Sequence, residues 1–218
     1  MGRSSVFVLN QPPSLASVFV AELRNTERQD DRLRFRRNME RVGELLAYEL
    51  SKTLDYATQS IRTPLDTISI RTLAKQPILI SVLRAGIPLH QGVLNYFDQA
   101  NSGFIGAFRQ PTKGDSFTIE ADYHAVPPVN GETVVLIDPM LATGQTIVQA
   151  IRMLHQYGTP ARLHAVAAIA SSEGVAHVQA EYPDCALWLG AVDPQLNQKS
   201  YIMPGLGDAG DLAFGPKI

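Results

Sequence analysis

Apolar residues recur at three- and four-residue steps through Phe35, Met39, Val42, Leu45, Leu46, Leu50 and Leu54. That spacing predicts one buried face of an amphipathic helix. Between Pro64 and Leu73 the period changes to two. Leu65, Ile68, Ile70 and Leu73 sit among Asp66, Thr67, Ser69 and Arg71, which predicts a strand or hairpin. Ile78–Leu83 is a nearly continuous apolar run, as in a strand buried on both faces. Residues 104–108, 133–137, 163–170 and 186–192 read as further strands. Residues 87–97, 147–157 and 173–181 read as helices between them, the second stopped by Gly158 and Pro160. Strands alternating with helices predict an α/β fold, a parallel sheet with helices on both faces. Its ligand site belongs at the carboxyl ends of the strands, where loops leave at Arg84, Arg109 and Asp138.

No linker divides the 218 residues, so a single domain is expected. Residues 109–128 are the least regular stretch, with Pro111, Lys113, Gly114, Asp115, Pro127 and Pro128. They are expected to form a lid over a site. Glu120, Asp122 and Tyr123 within it read as solvated strand or loop positions. Seven arginines lie between Arg24 and Arg41, interleaved with Glu27, Asp30, Asp31 and Glu40. A solvated, salt-bridged helical arm is the reading to set against an anion-binding patch.

Composition narrows the classes. Apolar residues make up 45% and charged residues 18%, which excludes a disordered chain. Nineteen Lys and Arg against 21 Asp and Glu leave a net charge of -2, which excludes a generally basic nucleic-acid coat. Cys185 is the one cysteine, so no internal disulfide can form and a cytoplasmic location is expected. No apolar run approaches the ~20 residues of a membrane span, and the first ten residues lack a long apolar stretch. The five histidines show no metal-ligand spacing, and no Gly-x-Ser-x-Gly marks a serine nucleophile.

The strongest local signal is the sequence from Val134 to Thr146. A buried strand ends at Asp138. Pro139, Met140, Leu141, Ala142, Thr143 and Gly144 form a turn, and a helix begins near Gln145 and Thr146. Free N–H groups at such a helix start suit a phosphate. The Asp138 carboxylate at the strand tip suits sugar hydroxyls. This is not a Walker loop, because no Gly-x-x-x-x-Gly-Lys-Ser/Thr occurs in the chain. The segment Gly205-Leu206-Gly207-Asp208-Ala209-Gly210 matches Gly-x-Gly-x-x-Gly, but no buried strand precedes it and only eight residues follow. A dinucleotide site is excluded by that context.

The Asp138–Thr146 stretch resembles the phosphoribosyl pyrophosphate (PRPP) loop of the type I phosphoribosyltransferases. The run from Tyr201 to Asp211 resembles the uracil-binding hood of the uracil phosphoribosyltransferase family. Leu83-Arg84-Ala85-Gly86 and Phe108-Arg109 match two further landmarks. The resemblance covers about residues 24–215. It implies a type I phosphoribosyltransferase core at 61–192, an N-terminal helical arm at 1–60 and a base-binding hood at 193–218. It also implies uracil and PRPP as substrates, UMP and pyrophosphate as products, and Mg²⁺ arriving as Mg–PRPP. Arg84, Arg109 and Asp208 would serve the pyrophosphate side. Residues 138–146 would hold the ribose and 5′-phosphate. Tyr201, Ile202, Gly207, Asp208 and Ala209 would hold the base, mainly through extended backbone at Ile202 and 207–209.

Members of the family form dimers or larger homo-oligomers, and some are activated by GTP, although no motif here marks a GTP site. The apolar helical arm is the element expected to wrap a partner subunit. This chain departs from the family at Pro139, where most type I enzymes carry a second acid, at Gln145, and at Gln110-Pro111-Thr112-Lys113-Gly114-Asp115. No role is carried onto the lid beyond Arg109. The alternative is a non-catalytic nucleotide sensor or RNA-binding regulator on the same fold, motivated by that lid and the arginine-rich arm.

Overall fold

The computed structural model of the chain describes residues 6–111 and 117–216, with the side chains of 107–111 and 117–122 outside the described set. In chain order the elements are β1 (Val6–Val8), α1 (Leu15–Arg24), α2 (Thr26–Gln29), α3 (Arg32–Ser51), β2 (Tyr56–Arg62), β3 (Thr67–Leu73), β4 (Ile78–Leu83) and α4 (Ile87–Tyr96). Then come β5 (Ser102–Pro111), β6 (Phe117–Ala125), β7 (Thr133–Ile137), β8 (Met140–Leu141), α5 (Gln145–Leu154), β9 (Arg162–Ser171), α6 (Ser172–Glu181), β10 (Ala186–Asp193), β11 (Gln195–Leu196), β12 (Ile202–Met203) and α7 (Ala209–Phe214).

The main sheet runs β1-β10-β9-β7-β4-β5-β6, with the short β8 also paired to β9. Every pair along it is parallel except β5 with β6. Strand alternation divides the core in two. Val135 and Ile137 of β7 pack with Leu46 of α3, Val93 of α4 and Ala213 of α7. Val134 and Leu136 pack on the other face with Ile147 and Ile151 of α5 and Val178 of α6. Helices thus cover both faces, as a parallel sheet requires. The expected α3 stripe is the buried one: Phe35, Met39, Val42, Leu46 and Leu50 are at most 3% exposed. Asp31 starts this helix by accepting the Arg34 N–H at 2.9 Å. Where α3 meets α4, a Cβ on Gly92 would fall on the Glu40 carbonyl, and one on Gly43 on the Leu89 carbonyl. Only glycines allow that approach.

Four expectations change. The helical arm ends at Ser51 rather than near residue 60, and Tyr56–Arg62 pairs antiparallel with Thr67–Leu73 as a separate two-stranded ribbon. The apolar face of the arm lies in the protein's own core, so it is not free to wrap a partner. Residues 109–128 are not chiefly irregular. β6 occupies 117–125 and pairs with β5 through a register shift at Gly106/Ala107. Phe117, Ile119, Ala121, Tyr123 and Ala125 do alternate with polar residues, but the prolines and glycine around them conceal it. Lys113, Gly114 and Asp115 lie outside the described residues. Finally, Val6–Val8 joins the sheet edge beside β10, with Phe7 opposite Trp188. Three residues are too few to register as a period.

Candidate active site

β4 and β7 are neighbours in the sheet and end side by side. A cleft of about 560 Å³ opens beyond their carboxyl ends. One wall is Val82, Leu83, Arg84 and Ala85 from the end of β4. Asp138, Met140, Ala142 and Thr146 form the floor. The opposite wall is Ser200, Tyr201 and Ile202, with 207–210. A smaller hollow behind Asp138 is lined by Leu141, Thr143, Gly144 and Thr146. Residues far apart in sequence thus converge on one space: Arg84, the loop after β7, and the C-terminal segment.

The loop after β7 is shaped by its neighbours. The Pro139 carbonyl accepts N–H groups of Ala168 and Ile169, both at 3.1 Å. The Asp138 carboxylate accepts the Met140 N–H at 3.2 Å, and the residue is 8% exposed. Gly144 begins α5 with φ +77, a left-handed conformation, and a Cβ there would stand 2.8 Å from the Gly174 carbonyl. Its helix has no side-chain cap and no acid in its first turn. N–H groups at that end are therefore available to an anion, aided by the helix dipole.

Ser171 was not visible as a site residue. It is fully buried, donates its hydroxyl to the Ala142 carbonyl at 2.6 Å, and accepts the Gly174 N–H at 2.8 Å. One side chain thus locks the loop after β7 to the start of α6. A serine at a predicted helix start signals an N-cap, but its bond to Ala142 spans 29 residues and no sequence pattern reports it.

Arg84 follows the cis peptide Leu83–Arg84. It donates to Asp211 at 3.0 Å and to the Gly215 carbonyl at 2.6 Å. Arg109 lies on β5 opposite Ile119, and its side chain is outside the described set. Pro139 and Gln145 do not line the cleft. Pro139 turns to β9, and Gln145 is exposed at the start of α5 with its N–H 3.4 Å from Thr143 Oγ1. Of residues 207–209, expected to be extended, Asp208 is extended at φ -89 and ψ 108 and caps α7 by accepting the Asp211 N–H at 3.0 Å, whereas Gly207 has φ +98 and Ala209 opens the helix.

Arg24, Arg34, Arg36, Arg37 and Arg41 of the arm face acceptors within the protein. Arg34 pairs with Glu22, whose carboxyl is held down to about 2 by hydrogen bonds from Arg34 and Asn38. Arg37 pairs with Glu40, and Arg36 donates to the Ala213 carbonyl at 2.7 Å. Arg24 and Gln29 also reach the C-terminal segment. These contacts support neither an anion patch nor an RNA surface on those residues. No helix among the described residues is long and apolar enough to cross a membrane.

A mainly parallel sheet with a strand–turn–helix loop after β7 and a C-terminal segment folded across the strand ends gives the protein the fold of the type I phosphoribosyltransferases. The sequence matches the family model described as uracil phosphoribosyltransferase over residues 11–216. It is 41% identical over 214 residues to a uracil phosphoribosyltransferase of Porphyromonas gingivalis, covering 98% of this chain and 99% of that protein. It is 36% identical to one from Thermococcus gammatolerans, covering 98% and 94%. The solved structure of the AQ2163 protein from Aquifex aeolicus superposes with a TM-score of 0.86 at 30% identity, over 96% of this chain and 98% of that one. The chain belongs to the uracil phosphoribosyltransferase family.

Proposed function

We propose that the protein transfers the phosphoribosyl group of PRPP to N1 of uracil, releasing pyrophosphate and UMP. The observation that carries this reading is the single cleft shared by Arg84, the Asp138–Thr146 loop and the hood. A phosphoribosyl donor and a flat base must meet in one such space for a bond to form between them.

In this reading the C1–O bond to pyrophosphate breaks as N1 attacks, its electron pair leaving with pyrophosphate and the N1 proton passing to solvent. Positive charge grows on the ribose and negative charge on the leaving group. Arg84 and Arg109 stabilise the departing pyrophosphate with charge-assisted bonds. Asp138 accepts from the ribose hydroxyls. The N–H groups of 143–146 and the hydroxyls of Thr143 and Thr146 hold the 5′-phosphate, the Ala142 N–H being taken by the Met140 carbonyl at 3.0 Å. Ile202 and 207–209 present main-chain donors and acceptors to the uracil edge, with Tyr201 beside them. A base with the inverted pattern would leave buried groups unpaired, at about 1–3 kcal/mol each.

The donor set suits a cation brought by its substrate. Asp138 and Asp208 are the carboxylates on the cleft wall, and no group of three or more His, Cys, Asp or Glu able to hold a metal occurs among the described residues. Mg²⁺ bound to PRPP would neutralise charge on the pyrophosphate, with Asp208 within reach directly or through water.

The reading extends to a homo-oligomer and a cytoplasmic location. The β2–β3 ribbon exposes Ile61, Ile68 and Ile70, and Leu65 at its tip is 98% exposed. A two-stranded ribbon is marginal alone, and its apolar side chains support association with a second copy. Cys185 is buried, and burial pushes its thiol up to about 12; as the one cysteine of the chain it forms no internal disulfide, which supports a reducing compartment. GTP as an effector is inherited from the family resemblance alone, and light scattering with and without GTP tests it together with the oligomer.

The test of function offers uracil, cytosine, hypoxanthine and orotate in turn with Mg–PRPP and measures pyrophosphate release. Release with uracil is expected. Release with hypoxanthine or orotate instead, or with no base, overturns the assignment.

A further inference from the structure

Asp193 ends β10 with its side chain 7% exposed, and it lines neither the cleft nor the phosphate hollow. Its two carboxylate oxygens accept from the two terminal nitrogens of Arg24, both at 2.7 Å. This is the parallel fork geometry that fixes orientation as well as charge. Arg24 is the last residue of α1, 169 positions away in sequence.

Both partners also hold one residue of the hood. Asp193 Oδ2 accepts the Gly205 N–H at 2.8 Å, and Arg24 Nη1 donates to the Gly205 carbonyl at 3.0 Å. The two polar backbone groups of Gly205 are therefore taken by the two ends of one ion pair. Gly205 stands at φ +60, and a Cβ there would fall on the Ile202 carbonyl. One residue further on, Gln29 Nε2 donates to the Leu206 carbonyl at 2.7 Å. Ile202 and Gly207 flank this pinned turn, and both line the cleft.

We propose that Arg24 and Asp193 are positioning residues for the base: together they set the hood turn that carries the main-chain groups of Ile202 and 207–209. The proposal rests on the uracil reading above and adds what holds the base-binding backbone in register. Main-chain recognition needs such a device, because a backbone N–H or C=O has no rotamer with which to correct a shifted loop. An exposed ion pair would contribute little. This one is mostly enclosed, bidentate and shared with Gly205, so its geometry is directional. The phosphate loop is held separately, by Ser171 and by the Pro139 carbonyl on β9. Loss of the clamp should therefore be felt at uracil before it is felt at PRPP.

The test uses the full chain with Arg24→Lys, which keeps the charge but loses the fork, and Asp193→Asn, which keeps the shape but loses the charge. Arg34→Lys, at the exposed pair with Glu22, is the control. Steady-state kinetics are run with each substrate varied in turn, with PRPP affinity by calorimetry and melting temperature alongside. The expected result is a rise of about tenfold or more in KM for uracil, with PRPP affinity within about twofold of the parent and the control unchanged. Kinetics like the parent's in either folded variant overturn the clamp. An equal loss for both substrates alongside a lowered melting temperature marks a purely structural pair and also overturns it. Should Asp193→Asn fail to fold, Arg24→Lys decides the matter. A parent chain that makes UMP while the variants behave as wild type refutes the clamp alone, whereas a parent that makes no UMP refutes the uracil reading and the clamp with it.

Discussion

Arg84 and Asp211 meet at 3.0 Å, so the arginine at the end of β4 is held by the first turn of the C-terminal helix. The Gly215 carbonyl takes the same guanidinium nitrogen at 2.6 Å. The two walls of the cleft are thereby joined through the group assigned to the pyrophosphate. Arg84→Ala is expected to lower kcat on the order of 10²–10³-fold, the cost of removing one donor aimed at developing negative charge. The pair is partly exposed, at 34% and 41%, so its own contribution to stability should stay within about 1 kcal/mol. Stopped-flow pyrophosphate release beside thermal melting separates the two. A variant with parental turnover removes Arg84 from the reaction.

Ser171→Ala deletes a buried hydroxyl that makes two bonds and caps α6. The Ala142 carbonyl and Gly174 N–H lose a partner where water has little access. The expected loss is about 1–3 kcal/mol of stability. PRPP affinity should fall as well, since the phosphate loop loses its tie. Urea unfolding and calorimetry on the same preparation check this. Unchanged PRPP affinity in a destabilised variant would confine Ser171 to the fold.

Two glycines with similar backbones should respond differently. Gly131 has φ +72 with nothing within 4 Å of a built Cβ, whereas Gly144 has φ +77 with the Gly174 carbonyl 2.8 Å away. Gly131→Ala should cost only left-handed strain, about 1–2 kcal/mol, and leave kinetics alone. Gly144→Ala adds a backbone collision at the phosphate loop and should abolish measurable PRPP binding. Equal behaviour of the two variants would show that the contact with Gly174 does not matter.

His164 makes stability depend on pH. Its Nδ1 accepts the Trp188 indole N–H at 3.1 Å, which assigns the neutral ring. Burial, with a smaller contribution from Arg162, lowers its pKa from 6.5 to about 4. Between those values the unfolded chain binds more protons than the folded one, so stability rises with pH. The contribution is fully present above about 6.5 and is lost as pH falls toward 4. Going from pH 7.5 to 5 should remove about 2 kcal/mol through this residue. His90, also lowered by burial, acts in the same direction. Urea melts at the two pH values, parent against His164→Gln, isolate the part due to His164. A variant with the parental slope would exclude it.

Deleting the hood is a poorer test than the sequence suggests. Cutting after Ser200 would separate the duties of the cradle and the hood only if the remaining chain kept its core. Leu206, Ala209 and Ala213 are buried in the same core cluster as Leu46 and Val93, and Asp211 and Gly215 hold Arg84. Truncation would open the core and release the arginine together, so single substitutions are the informative experiments.

The sequence by itself determined what is local and periodic. The α3 stripe, the unbroken apolar strands and the strand–turn–helix around Asp138 follow from side-chain spacing, because burial on one face or two imposes those periods. The small residues from Ala142 to Gly144 could be read as a phosphate turn for the same reason: a backbone that must approach an anion leaves a compositional mark. Only the tertiary structure decided what holds those pieces together. Ser171 with Ala142, Arg24 with Asp193 and Gly205, and Arg84 with Asp211 are pairs 29 or more positions apart, most of them over a hundred. A serine, an aspartate or an arginine at any one of these positions looks like a cap or a solvated charge until the sheet sets its partner beside it. Their selection rests on hydrogen-bond geometry and desolvation, which have no period along the chain.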